Sequence, residues 1–208
     1  MKYRIEYHRG AKSIVNEPNL SEDYSEILSS ISEIDEHQIL EFFLNQKKEE
    51  RELGKKNYKK SVSDALNHHL RLNLLSKGWQ KEAKIFKSAN YEIGAWRLDF
   101  AKNDICIEVA FNHGEAIAHN ILKPVLSSEE SSLDKEYETQ IGIIITATKE
   151  LKKSGNFDST TGTFDDFIEY FHPYSFFIRC PMIIIGIEGL ETFYIDKKTK
   201  MPVKLTNQ

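Results

Sequence analysis

The sequence predicts an α/β fold, a central mixed β-sheet flanked by helices. Two apolar runs, IGIII (141–145) and PMIIIGIE (181–188), have the unbroken hydrophobicity of strands buried on both faces. Around them lie segments with apolar residues at helical spacing, and the two patterns interleave as they do when helices cover a sheet. No internal repeat or low-complexity linker divides the 208 residues, so a single domain over 1–208 with one core is expected.

The elements follow in order. Residues 2–7, KYRIEY, read as a short strand. Tyr24, Ile27, Leu28 and Ile31 mark a helix over 21–33, and Ile39, Leu40, Phe42, Phe43 and Leu44 give 36–52 a wide apolar face. A helix over 64–77 carries the stripe Leu66, Leu70, Leu74 and Leu75, with Ser63 as the expected N-cap and Gly78 as a left-handed C-terminal stop. A hairpin is expected with one arm near 82–87 and the other near 95–101, followed by a strand over 104–111, DICIEVAF. Alternation in that strand puts Ile105, Ile107, Val109 and Phe111 on one face and Cys106, Glu108 and Ala110 on the other, an unusual setting for a carboxylate. A helix from about Gly114 to Leu126 follows, bent or ended by Pro124. After the strand at 141–145 come a short helix from Lys149 to Lys153, a polar loop SGNFDSTTGT (154–163), a helix over 164–171 and the strand at 181–188.

Composition excludes several classes. With 40% hydrophobic residues, 12 Phe and 9 Tyr, the chain is globular rather than disordered. No run reaches the roughly 18 apolar residues of a membrane span, and MKYRIEYHRG lacks the apolar segment of a signal peptide, so a cytoplasmic location is expected. Cys106 and Cys180 each sit in an apolar run and read as buried free thiols; zinc spacing is absent. No phosphate loop, nucleophile elbow or zinc motif appears. The net charge of −4 argues neither for nor against nucleic acid, because the distribution of charge decides. Residues 47–60, KKEERELGKKNYKK, hold seven Lys/Arg in fourteen positions.

Asp99 at the end of one strand and Glu108 in the next can meet at one point across the short turn at Lys102 and Asn103. Mg²⁺ takes oxygen ligands, commonly one or two carboxylates with water and substrate phosphate completing the octahedron. The Val109 carbonyl is a further candidate oxygen. An Asp followed by a strand Glu is a common pattern, and its neighbours give it weight.

Those neighbours are SVSDALNHHLRLNLLSKGW (61–79), WRLDFAKNDICIEVAF (96–111), ITATKELKKSG (145–155) and PMIIIGIE (181–188). In order and spacing they resemble the BglII/BstYI group of type II restriction endonucleases, within the PD-(D/E)XK nuclease superfamily, over about residues 60–190. The resemblance implies a restriction-endonuclease-like fold and Mg²⁺-dependent hydrolysis of double-stranded DNA at a short palindrome. It also implies a homodimer, since two-fold symmetry and a palindromic site match geometrically. It assigns Asp99 and Glu108 as metal-binding carboxylates and Asn67 as the Asn on a flanking helix. The group has Gln, and the superfamily Lys, two residues after the Glu. Here that position is Ala110, which cannot orient water or offset charge at a phosphate. His68, His69, His113 and Lys123 are candidate replacements, and restoring Gln at 110 is expected to keep or raise activity. The alternatives are a DNA-binding protein with weak or lost catalysis and another DNA nuclease on the same scaffold.

For DNA contact the candidates are Asn112 and His113, just after the catalytic strand, and Asn156, Asp158, Ser159, Thr160 and Thr161 in the polar loop. Asn pairs with adenine and Asp accepts from cytosine, although the same residues are ordinary turn formers. Arg97 is a candidate phosphate ligand, and the basic stretch 47–60 a candidate phosphate-contacting element.

Overall fold

The computed structural model describes residues 1–54, 60–87, 96–129 and 134–205. A six-stranded mixed sheet runs through the molecule in the order β1-β6-β5-β4-β3-β2. These strands are β1 (Tyr3–His8), β2 (Gln80–Lys84), β3 (Arg97–Lys102), β4 (Ile105–Ala110), β5 (Ile141–Ala147) and β6 (Met182–Ile187). The central strands β4, β5 and β6 are parallel; β1 joins β6, and β3 and β2 extend from β4, all antiparallel. All seven residues of β5 and all six of β6 are buried, as their unbroken apolar sequences require.

One face is covered by α2 (Ser21–Ser32), α3 (Glu36–Glu52) and α4 (Ser63–Ser76), whose Ile27, Ile31, Ile39, Phe43, Leu66, Leu70 and Leu74 share a cluster with Ile105, Ile107, Ile143 and Ile183. The opposite face is covered by α5 (Ile117–Glu129) and α7 (Phe164–Tyr174), which form a second cluster with Ala110, Ile144, Met182 and Ile184. A short α1 (Ala11–Ile14) follows β1, α6 (Lys149–Ser154) follows β5, and a small antiparallel ribbon of β7 (Phe193–Ile195) and β8 (Pro202–Lys204) closes the described chain. Among the described residues no helix is long and apolar enough to cross a membrane.

Several expectations are corrected. The N-cap of α4 is Val62, with Ser63 already helical and its hydroxyl bonded to Ser61 at 2.8 Å. Leu75 leaves the buried stripe and is 39% exposed. Gly78 does end α4 in the left-handed region at φ +84°, with Gly78 N–H on the Leu75 carbonyl and Trp79 N–H on the Leu74 carbonyl. Pro124 does not end α5, which continues to Glu129. Its ring instead lies on the sheet where Gly142 leaves space. A Cβ at 142 would overlap Pro124 and lie 3.2 Å from Met182 Cε, so α5 approaches β5 only because that residue is glycine.

A carboxylate fork between two strands

The β3–β4 ladder runs from Lys102–Ile105 to Phe100–Ile107 and stops there. One residue further on, the two carboxylates take over. The Asp99 N–H donates to Glu108 Oε1 at 3.3 Å, and the Val109 N–H donates to Asp99 Oδ2 at 2.7 Å. The strands splay at this point, and each carboxylate accepts an N–H from the other strand. Glu108 is 1% exposed.

Lys123, on α5, ion-pairs with Glu108 Oε2 and donates to the Arg97 carbonyl at 3.1 Å. Burial pushes the Glu108 carboxyl up to about 8, the neighbouring Asp99 adds to this, and Lys123 opposes it. Burial likewise raises Asp99 above the usual carboxylate range, against Lys123 and the Val109 N–H. Two ionised carboxylates with one ammonium leave a net charge of −1 in a place shielded from water.

Such a pair fits a divalent cation, whose charge would offset both carboxylates without a further acid. Among the described residues no group of three or more His, Cys, Asp or Glu that could hold a metal ion converges, so the carboxylates that meet here are a pair. Calcium-style cages need more oxygens; a magnesium-like ion uses one or two carboxylates and fills the rest with water and phosphate.

The other candidates divide. Asn67 is exposed on α4, the helix on the far face from α5, and its side chain makes no hydrogen bond among the described residues. His68 stacks on Phe42 at 4.4 Å and meets His69 edge-on at 5.2 Å, which joins α4 to α3 rather than to the carboxylates. Ala110 is 1% exposed within the α5–α7 cluster, so its position is filled by the packing of α5 and is not a gap facing solvent. A Gln at 110 would bring an amide into this apolar packing.

The segments after β4 and within the 154–163 loop form one surface. Gly114 N–H bonds the Thr160 carbonyl at 2.7 Å, Gly162 N–H bonds the Asn112 carbonyl at 3.1 Å, and His113 pairs with Thr161 as an isolated bridge. The Thr160 hydroxyl meets His113 Nδ1 at 2.5 Å. Within this surface the residues differ in availability. Asn112, His113, Asp158, Ser159 and Thr160 are exposed. Asp158 holds the Thr160 N–H at 2.9 Å and its hydroxyl at 2.7 Å, an Asx turn. Two further loop candidates are less available. Thr161 is 5% exposed, and Asn156 is left-handed at φ +54° with its amide on the Lys60 carbonyl at 2.6 Å. Thr161 lies inside the loop, and Asn156 ties the loop to Lys60.

Arg97 is half-buried on β3, its guanidinium 3.4 Å from the Glu82 carbonyl. The basic stretch 47–60 also divides. Lys47 is 6% exposed, lies over the Phe43 ring at 5.1 Å and bonds the Lys200 carbonyl, so it ties α3 to the β7–β8 ribbon instead of meeting phosphate. Lys48 and Arg51 are exposed, while residues 55–59 lie outside the described residues.

A cationic cleft beside the loop was missed from the sequence. Lys60, Lys149, Lys152, Lys153, Lys197 and Lys200 line a cavity of 790 Å³. Its two acids are occupied: Asp158 as above, and Asp196 by the Thr199 N–H at 2.7 Å and hydroxyl at 2.8 Å. The available signal was KKTK (197–200) between two short apolar segments, FYI and PVK.

Comparison with known proteins gives the fold a family. No curated protein matches the chain. Among solved structures, the crystal structure of restriction endonuclease BglII complexed with a DNA 16-mer superposes with TM-score 0.65 at 17% identity, covering 98% of this chain and 88% of that one. Free BglII gives TM-score 0.57 at 16% identity, covering 93% and 83%. The family described as restriction endonuclease BglII/BglIII matches residues 3–187. The chain therefore belongs to the BglII/BglIII restriction endonuclease family.

Proposed function

We propose that this type II restriction endonuclease hydrolyses DNA with a magnesium ion held between Asp99 and Glu108. The observation that carries this is the reciprocal fork, in which the buried Glu108 and the half-buried Asp99 each accept an N–H from the other's strand and Lys123 pairs with Glu108. Bound there, the ion would polarise the phosphodiester, lower the pKa of a bound water and stabilise the leaving oxygen. The Val109 carbonyl, one residue beyond Glu108, is a further candidate ligand.

Charge makes metal and DNA binding interdependent. With both carboxylates ionised and no cation the site carries −1 and repels a phosphodiester; with a divalent ion bound to them it carries +1 and attracts one. Asp99 is anchored by its bond from Val109 N–H and Glu108 by its bond from Asp99 N–H, so both acceptors are oriented before the ion arrives. The exposed Asn112, His113, Asp158, Ser159 and Thr160 would approach base edges, with Arg97 at a phosphate nearer the fork. The lysine cleft adjoins the same loop and would carry the flanking DNA backbone. Two copies around a two-fold axis would cut both strands of a palindrome.

The test is incubation of the protein with unmethylated plasmid and Mg²⁺, with a chelator control. Discrete fragments that vanish with chelator support the reading. A gel shift with no cleavage at any divalent metal would identify a DNA-binding protein instead.

A further inference from the structure

Lys123 is the only described side chain that brings positive charge onto the carboxylate fork, and it comes from a helix rather than from β3 or β4. We propose that Lys123 is a catalytic residue, the donor that meets the scissile phosphate. This rests on the reading of Asp99 and Glu108 as the nuclease centre.

Four observations lead there. The side chain of Lys123 is 12% exposed, so its ammonium is neither free in water nor sealed in the core. An ammonium has three N–H donors. One meets Glu108 Oε2 and another the Arg97 carbonyl, which leaves a third for an incoming oxygen. The helix that delivers it is fixed in depth: the next residue, Pro124, rests on Gly142, so α5 cannot rise without opening the sheet contact. Finally, Ala110 two residues after Glu108 is buried under α5 among Ile117, Ile121 and Ile144, so no long side chain reaches the phosphate from the strand itself. The same close packing of α5 that makes residue 110 small brings Lys123 to the carboxylates.

A water oxygen forms a bond to phosphorus and loses a proton to solvent. The bond from phosphorus to the leaving deoxyribose oxygen breaks, and that oxygen keeps the electron pair and takes a proton from solvent. Lys123 forms no covalent bond and gives up no proton. It donates a hydrogen bond to a non-bridging oxygen, where negative charge grows as the fifth ligand arrives, and a preorganised donor at such an oxygen favours the transition state over the ground state.

A bland role is available, in which Lys123 is only the counter-ion that keeps Glu108 soluble in the core. The two roles separate experimentally, because removing a counter-ion strengthens cation binding at the carboxylates and leaves the phosphate step intact once metal is saturating. Lys123→Gln and Lys123→Cys would each be measured for Ca²⁺ affinity by calorimetry, for affinity to a target-site DNA duplex in Ca²⁺, and for single-turnover cleavage at saturating DNA and Mg²⁺. The Cys variant would be measured again after alkylation with 2-bromoethylamine, which rebuilds a lysine-length ammonium; Cys106 and Cys180 are both buried. Expected are unchanged or tighter Ca²⁺ binding, DNA affinity within a few-fold of the parent, and cleavage slower by about 100-fold or more, as for loss of one transition-state donor. Alkylation should return most of the lost rate. Cleavage by either folded variant within a few-fold of the parent would overturn the proposal, as would a slow variant that alkylation leaves slow. If both variants fail to fold, Lys123→Met, an isosteric apolar replacement, is judged by the same rate. Failure of the parent to cleave would contradict the nuclease reading itself, a distinct outcome.

Discussion

Pro124 on α5 lies against Gly142 on β5 so closely that a Cβ at 142 would overlap its ring. This contact sets the height of α5 over the sheet, and with it the reach of Lys123 to Glu108. Gly142→Ala should therefore destabilise the fold by about 1–3 kcal/mol through overpacking. Urea unfolding measures the loss, and a variant as stable as the parent would contradict the contact.

Ala110→Gln is expected to destabilise by a similar amount, about 1–3 kcal/mol, because an amide would enter the cluster of Ile117, Ile121 and Phe167 without a partner. It should not raise the cleavage rate. Thermal unfolding and single-turnover cleavage on the same preparation check both statements, and a faster, equally stable variant would show that position 110 opens onto the site.

The pH dependence follows from Glu108. Its carboxyl titrates at about 8 in the fold against an ordinary value of 4.5. A raised carboxyl favours the protonated folded state, so the stability it contributes is complete below 4.5 and is lost as pH rises through about 8. Asp99 shifts in the same direction. The metal-free protein should lose stability across that window from these two groups. Metal binds the ionised carboxylates, so the increase in melting temperature given by excess Mg²⁺ should grow with pH and level off above about 8. An increase that is the same at the two ends of the window would contradict a metal held by these carboxylates.

Lys153→Gln with Lys197→Gln removes two charges from the cleft beside the loop. DNA affinity should fall, and the slope of log affinity against log salt should flatten by about 1–2, the release expected for one or two phosphates. Cleavage of saturated DNA should be unchanged, since neither residue contacts the fork. An unaltered salt slope would place the DNA backbone elsewhere.

Much of the site was legible because it is local. Alternation in ICIEVA put Glu108 on the face of Cys106 and Ala110, and a short turn carried Asp99 to its side; the resemblance of the flanking blocks then distinguished this pair from any other Asp and Glu. Gly78 was legible for the same reason, as a stop following a stripe. What failed depends on packing between distant elements. Lys123 stands beside His68, His69 and His113 as one of four candidates, and only the crossing of α5 over β4 singles it out. Pro124 reads as a bend or an end of the helix, and Gly142 gives its ring a place on the sheet while α5 continues. Lys47 reads as part of a phosphate-contacting stretch, but the turn of the β7–β8 ribbon supplies a carbonyl that draws it inward. That ribbon escaped because its strands are three residues each, too short for a periodicity. Thr161 and Asn156 have the composition of base readers and the positions of loop supports.

The central claim is that the Asp99–Glu108 fork is the metal-dependent nuclease centre. Asp99→Ala, assayed for cleavage in Mg²⁺ and for DNA binding in Ca²⁺, tests it most directly. Loss of detectable cleavage with DNA binding retained is the result predicted; cleavage persisting near the parent rate would contradict the assignment.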